Sequence, residues 1–338
     1  MDMIKNKPFL TDEKVDDFTA EDFVFVHRNE ELLDEAYTAT SYAKDVWMHF
    51  KKNKGAVLGA IIIIAIILLA IIGPMISGYK ADAINLDVQS LPPRIQGIYK
   101  LGIFSGYEKG VDQYAAHGVS QAFYWFGTDT NGRDLFTRVW EGTRVSLIIA
   151  LSAVVIDIVI GMSYGLISGY FGGKVDMVMQ RFMEILNGIP TLVVVTLLGL
   201  VLPPGITSIV FALMITGWIG MARISRAEVL KLKESEFILA SRTLGAKNFS
   251  IIFKEVMPNI FGQLIVMSMF SIPNAIFTEA FLSFVGLGIQ APDASLGSLI
   301  SDGYKSLTGH PHIIMSAIIV LALLMLSFNL FADGIRDA

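Results

Sequence analysis

Residues 56–76 read AVLGAIIIIAIILLAIIGPMI, twenty-one residues without a charge. As an α-helix such a run reaches about 30 Å, the thickness of a bilayer's hydrocarbon core. It predicts a membrane-spanning helix. A secretory leader would start close to the N-terminus with a shorter apolar core and a small-residue cleavage site, whereas this run starts at residue 56. Further apolar blocks follow at about 146–168, 183–202, 206–222, 260–282 and 313–331, with only Pro203-Pro204-Gly205 joining the third span to the fourth. The expected fold class is therefore an all-α membrane protein with six transmembrane helices.

Composition agrees. Of 338 residues, 53% are hydrophobic and 17% charged, against roughly 25% charged in soluble domains, and the mean hydropathy is +0.58. A soluble enzyme is excluded. The net charge of −5 offers no basic surface for nucleic acid. With no cysteine, disulfides, thiolate metal sites and cysteine nucleophiles are excluded as well.

The division expected is an acidic cytoplasmic extension over 1–50, a first transmembrane helix over 51–77, an extracytoplasmic loop over 78–144, a core of five spans over 145–332, and a cytoplasmic tail over 333–338. A helix is possible from Asn29 to Tyr42. Six spans place both termini on one side of the bilayer. Lys44, Lys51, Lys52 and Lys54 flank the first span, and Lys174 and Arg181 lie between the second and third. Arg223, Arg226, Lys231, Lys233, Arg242, Lys247 and Lys254 follow the fourth, and Arg336 ends the chain, while the opposing short loops carry Lys305. The excess of Lys and Arg marks the cytoplasmic side, so both termini are expected there.

Motifs for catalysis or cofactors are weak. Gly172-Gly173-Lys174-Val175 lacks the spacing and hydroxyl of a nucleotide-binding P-loop, and Gly286-Leu-Gly-Ile-Gln-Ala291 leaves a membrane helix without a βαβ context. Asp129-Thr-Asn-Gly-Arg-Asp134 begins like a calcium loop but has Asp134 and Trp140 where Gly and Glu are needed, so it reads as a turn capping the next helix. His310-Pro311-His312 reads as loop histidines. No nucleophile–base arrangement, metal site or catalytic residue is expected.

Two ionisable residues fall within spans, Asp157 in the second and Glu279 in the fifth. A charge at mid-bilayer costs from about 2.5 kcal/mol upward, so each serves either as an ion or proton relay or as a cap or interhelical hydrogen bond. Pro190 and Pro273 interrupt spans three and five and permit kinks. Gly161, Gly165 and Gly169 form one face on which another helix backbone can approach closely.

The most unusual segment is 223–258, charged yet regularly apolar. Glu236-Phe237-Ile238-Leu239-Ala240-Ser241-Arg242-Thr243-Leu244 suits a short amphipathic helix, with Gly245 placed for a left-handed cap. A second helix is expected from Lys247 to Val256, ended by Pro258. From composition alone this is either a membrane-surface hairpin or a helix that docks into a groove on a soluble partner.

Over about residues 55–338 the chain resembles the C-type permease subunits of bacterial oligopeptide and dipeptide ABC importers. The matching segments are Phe126-Gly-Thr-Asp-Thr-Asn-Gly-Arg-Asp134, Gly142-Thr-Arg-Val-Ser-Leu147, Gly169-Tyr-Phe-Gly-Gly-Lys-Val-Asp176, the loop from Leu239 through Asn259, and Glu279 through Gly288. The sequence departs at Leu239, where the general loop motif has Glu, at Ser241, where it has Ala, and at Leu296, where the family often has Trp. No counterpart is assigned to the acidic extension.

The resemblance implies the type I ABC importer permease fold in a bacterial plasma membrane, with residues 236–245 as the helix that couples to the ATPases. It implies a homologous B-type permease, two ABC ATPase subunits carrying ATP and Mg, an extracytoplasmic peptide-binding protein, and no cofactor in this chain. Oligopeptides are the expected cargo, with dipeptides, glutathione or a nickel chelate as alternatives. An ion-coupled secondary transporter using Asp157 or Glu279 and a receptor or scaffold using the acidic segment are the competing classes.

Overall fold

The computed structural model describes residues 42–203 and 205–338. The stretch 1–41, on which most of the expected Asn29 to Tyr42 helix falls, lies outside the described residues. Val46–Ala338 forms one compact unit.

Helix α1 (Tyr42–Lys52) ends at Asn53, whose Oδ1 accepts the N–H groups of Gly55 and Ala56 at 3.1 and 3.2 Å and so starts α2 (Lys54–Ser77). Of the apolar window of α2 only 28% is buried, so the rest requires an apolar solvent. Pro74 has no N–H to give the carbonyl four residues back, that of Ala70. Arg144 takes the vacated place, donating Nε and Nη2 to that oxygen at 3.3 and 2.8 Å.

The following segment folds outside the helical bundle. It contains the hairpin β1 (Tyr107–Glu108) and β2 (Val111–Asp112) and the single turn α3 (Gln113–Ala116), around a core of Val88, Leu91, Tyr114 and Tyr124. Burial raises both phenols, that of Tyr124 to about 12, so both keep their protons; the Tyr114 hydroxyl donates to the Pro92 carbonyl at 2.9 Å. The Asp129–Asp134 turn holds its shape with its own arginine: Asp129 accepts from the Arg133 backbone at 2.9 Å and from Arg133 Nε at 2.7 Å. Asp134 then caps the next helix by accepting the Thr137 N–H at 2.9 Å.

Helix α4 (Leu135–Ile156) continues through a π-helical stretch, Asp157–Met162, into α5 (Ser163–Phe171), giving one span of 37 residues. The third span bends at Pro190, where a kink is expected, and starts earlier than hydropathy marks it. It is a bent pair, α6 (Gly173–Asn187) and α7 (Thr191–Gly199), with 72° between the halves. Pro190 precedes α7, and the residue before a proline is driven out of helical geometry. Helices α8 (Ile206–Thr216) and α9 (Ile219–Leu232) make the fourth span, and α10 (Glu236–Thr243) follows.

Pro258 does not end a helix. Chain from α11 (Asn248–Ile251) runs through a second π-helical stretch, Ile252–Val256, directly into α12 (Met257–Phe284). The wide turn moves the carbonyls that the proline ring would strike, and Asn259 Nδ2 donates to the Glu255 carbonyl at 2.6 Å. The helix also continues past Pro273. A capping box at Ser295 and Ser298 opens α13 (Leu296–Lys305), and α14 (His312–Arg336) closes the chain.

Among the described residues five helices are thus long and apolar enough to cross a membrane, or six if the bent pair is one span. Among the described residues the bundle's core is four patches: one joins α2, α4, α12, α13 and α14; a second joins α4, α6, α8, α9 and α12; the third joins α5, α9, α10, α11 and the start of α12; a small fourth joins α7, α8 and α12.

Candidate functional site

The third core patch sits at the end of the bundle that carries α10, and the site is built upon it. One residue of α10, Ile238, is completely buried, against Tyr170, Val229, Ile251, Ile252 and Val256. Its neighbours point away: Phe237 is 44% exposed, Leu239 48% and Leu244 87%, with Ala240 exposed between them and Ser241 half-buried. Glu236, in the first turn, is exposed and lies where the helix dipole favours an acid. Past the last turn, Gly245 adopts φ +82°. The Gly245 N–H reaches the Arg242 carbonyl and the Ala246 N–H the Ser241 carbonyl, each at 3.0 Å, the paired bonds of a Schellman cap. An eight-residue helix is therefore fixed at one buried point and capped firmly, while an apolar face has no covering among the described residues.

Two polar links join α10 and α11 to Tyr170 at the end of α5. The Arg242 guanidinium lies 4.8 Å from the ring centre of Tyr170, and the Tyr170 hydroxyl donates to Asn248 Oδ1 at 3.2 Å. Six residues on, Asp176 receives Arg226 of α9 in a two-pronged pair, Nε to Oδ1 at 2.6 Å and Nη2 to Oδ2 at 2.5 Å. Ser168 Oγ donates to the same carboxylate at 2.5 Å. The turn is clamped to α9 on one side and to the α10–α11 segment on the other.

The glycine stripe explains the contact of α5 with α9. A Cβ on Gly161 would stand 2.8 Å from the Trp218 carbonyl oxygen, one on Gly165 2.6 Å from Ser225 Cβ, and one on Gly169 2.9 Å from Val229 Cβ. Ser225 Oγ donates to the Met162 carbonyl at 3.1 Å across this seam. The two backbones meet where no side chain intervenes, the usual means of packing helices in lipid.

The intramembrane carboxylates lie elsewhere. Glu279 is completely buried, and each of its oxygens accepts a serine hydroxyl: Ser146 of α4 at 2.7 Å and Ser283 at 2.8 Å. Ser283 Oγ also accepts the Ile289 N–H at 3.1 Å, so the glutamate ties α4, α12 and the chain after α12 together. Asp157 lies in the π-helical stretch and borders a cavity of about 40 Å³ with Ser271 and Asn274 of α12. Pro273 faces the interior of α12's packing, and Pro190 marks the bend of the third span.

Geometry thus gathers Ile238, Ala240, Ser241, Leu244 and Gly245 at one end, while Asp157, Glu279, Pro190 and Pro273 lie within the spans. Tyr170, Asp176, Arg226, Arg242 and Asn248 were given no role from sequence. Their pairings join positions 50 to 78 residues apart, which no periodicity encodes. The signal within reach was the polar content of the Gly169–Asp176 turn between two apolar spans.

The described residues thus form a multi-span helical bundle that carries, at one end, a short helix anchored by Ile238 with an exposed apolar face. Residues 161–338 match the model of the binding-protein-dependent transport system inner membrane component family, and residues 41–93 match the N-terminal transmembrane domain of oligopeptide transport permease C. The dipeptide transport system permease protein DppC of Bacillus subtilis is 41% identical over 312 residues, covering 92% of this chain and 89% of the relative. The oligopeptide transport system permease protein OppC of the same organism is 43% identical over 295 residues (87% and 88%), and DppC of Lactococcus lactis subsp. cremoris is 45% identical over 313 (90% and 91%). The chain belongs to the family of inner membrane components of binding-protein-dependent transport systems, and is a multi-pass permease of that family's all-α fold.

Proposed function

We propose that this chain is one of two homologous permease subunits of an ATP-driven peptide importer, and that α10 is its coupling helix. Names of the relatives support peptide cargo, and the N-terminal match to an oligopeptide permease supports oligopeptides over dipeptides. ATP and Mg belong to two separate ATPase subunits, because this sequence has no P-loop. The Lys and Arg around α1, α6, α9 and α10 put both termini and α10 in the cytoplasm, and residues 78–134 on the other side. There a binding protein delivers the peptide.

The carrying observation is the apolar face of α10 and its cap, with Leu244 87% exposed. Such a face, flanked by Arg242 and Lys247, suits a groove on a soluble ATPase. When ATP closes the ATPase pair, α10 moves with its groove. Ile238 conveys that displacement to α9 and α12, and Arg242 and Asn248 convey it through Tyr170 to the turn between spans two and three. Spans three to five then shift as blocks, exposing the pathway alternately to either side. Glu279, held by two serines, serves as a packing tie, and the glycine stripe keeps α5 and α9 moving together.

Ala240→Trp adds bulk to the exposed face without touching the buried anchor. Peptide uptake by cells carrying it is expected to fall to background while the complex remains in the membrane at normal amount. Normal uptake would contradict the docking role.

A further inference from the structure

Between α2 and α4 the bundle leaves an open groove of about 360 Å³. Ile67 and Ile71 of α2 and Ile148 and Leu151 of α4 form its walls, and Ile272 of α12 and Phe328 of α14 its floor. These side chains are all apolar, and Leu151 is 65% exposed. Both walls belong to helices long and apolar enough to span, so the groove opens toward hydrocarbon.

One charged residue shares that lining, Arg144. It stands two residues before the apolar block at 146–168, at the depth where a long cationic side chain reaches the lipid headgroups. The Ala70 carbonyl freed by Pro74 holds its Nε and Nη2 at 3.3 and 2.8 Å. That oxygen carries no net charge, so the bonds aim the guanidinium without cancelling its cation. Glu141, one turn back, feels this charge but makes no ion pair with it, and lines a separate pocket with Asp82 and Asp293. Arg144 is therefore exposed, fixed in place and short of an anion, with Nη1 unpartnered among the described residues.

We propose that this groove binds an anionic glycerophospholipid, with one acyl chain along Ile67, Ile71, Ile148 and Leu151 and the phosphate on Arg144. A guanidinium fork matches phosphate oxygens in pairs, as an ammonium does not. Charge selects an anionic lipid, because a zwitterionic one brings its own cation to the same place. Size selects an acyl chain over a helix of the homologous permease: one turn of helix, a cylinder about 10 Å across and about 5.4 Å tall, fills roughly 400 Å³. Since α2 and α4 are opposite walls, the lipid ties the first span to the core. None of this depends on the importer reading.

The test uses the whole purified complex in detergent and a phosphatidylglycerol carrying a photoreactive group on its acyl chain. Illumination is expected to label residues 67–71 or 144–151. Unlabelled phosphatidylglycerol should compete about tenfold better than phosphatidylethanolamine, and Arg144→Gln should weaken labelling about as much, the margin of one charge-assisted hydrogen bond. Should Arg144→Gln fail to fold once its tie to Ala70 is lost, Ile148→Trp and Leu151→Trp decide. Each fills the groove from an exposed position, and each is expected to abolish labelling of these stretches. Labelling that misses both stretches, labelling that persists in both tryptophan variants, or equal competition by the two lipids overturns the proposal. So does a disulfide between Leu151→Cys and a cysteine placed in the homologous permease, since that subunit would then occupy the groove.

Discussion

Tyr170 makes two contacts of different kinds, and substitution can separate them. Its ring receives Arg242, and its hydroxyl binds Asn248. Tyr170→Phe keeps the ring, whose attraction for a guanidinium is about 0.5–1 kcal/mol where water has access, and loses the hydrogen bond. Tyr170→Ala loses both and leaves a cavity beside Ile238. If Tyr170 carries displacement from α10 to the second and third spans, the alanine variant should hydrolyse ATP with transport lowered about tenfold. The phenylalanine variant should keep its ratio of peptide moved to ATP hydrolysed within about twofold. Measuring both rates on reconstituted complexes checks this, and equal ratios in the two variants would remove the role.

At the scale of elements, the α5–α9 seam is a pairing with little room. Gly165→Leu places a branched side chain where even one carbon would meet Ser225 and the Arg226 backbone. Overpacking of this kind costs about 1–3 kcal/mol and occasionally more, and backbone atoms cannot yield as side-chain ends do. The expected result is a thermal unfolding midpoint lowered by several degrees or loss of a monodisperse purified protein; an unchanged midpoint would show that the helices need no close approach. This seam was legible in the sequence as glycines four apart, although its partner was not, because spacing within one helix says nothing about which helix meets it. The spans were legible from runs such as 56–76, where hydropathy alone decides. The break in the third was legible in Pro190, but its start was not: hydropathy begins the span at about 183, whereas the amphipathic α6 begins at Gly173. Pro258 misled: a proline rule written for α-helices does not anticipate the π-helical stretch that absorbs it.

At the scale of the whole molecule, family membership and the multi-span helical bundle stand independently of the contact proposed between α10 and an ATPase. What sequence alone left open was whether 223–258 is a surface hairpin or a docking helix, since an amphipathic pattern fits both. The structure adds the buried Ile238 beneath an exposed face and the polar links to Tyr170, and these favour a part that transmits force. The chain has no cysteine, so Ser241→Cys would place its one thiol on α10. The decisive measurement is crosslinking of that thiol, in native membranes with and without nucleotide, to a cysteine lining the groove of the ATPase. An adduct whose yield changes with nucleotide is the expected result. A thiol that reacts freely with a soluble maleimide yet gives no ATPase adduct in any nucleotide state would contradict it.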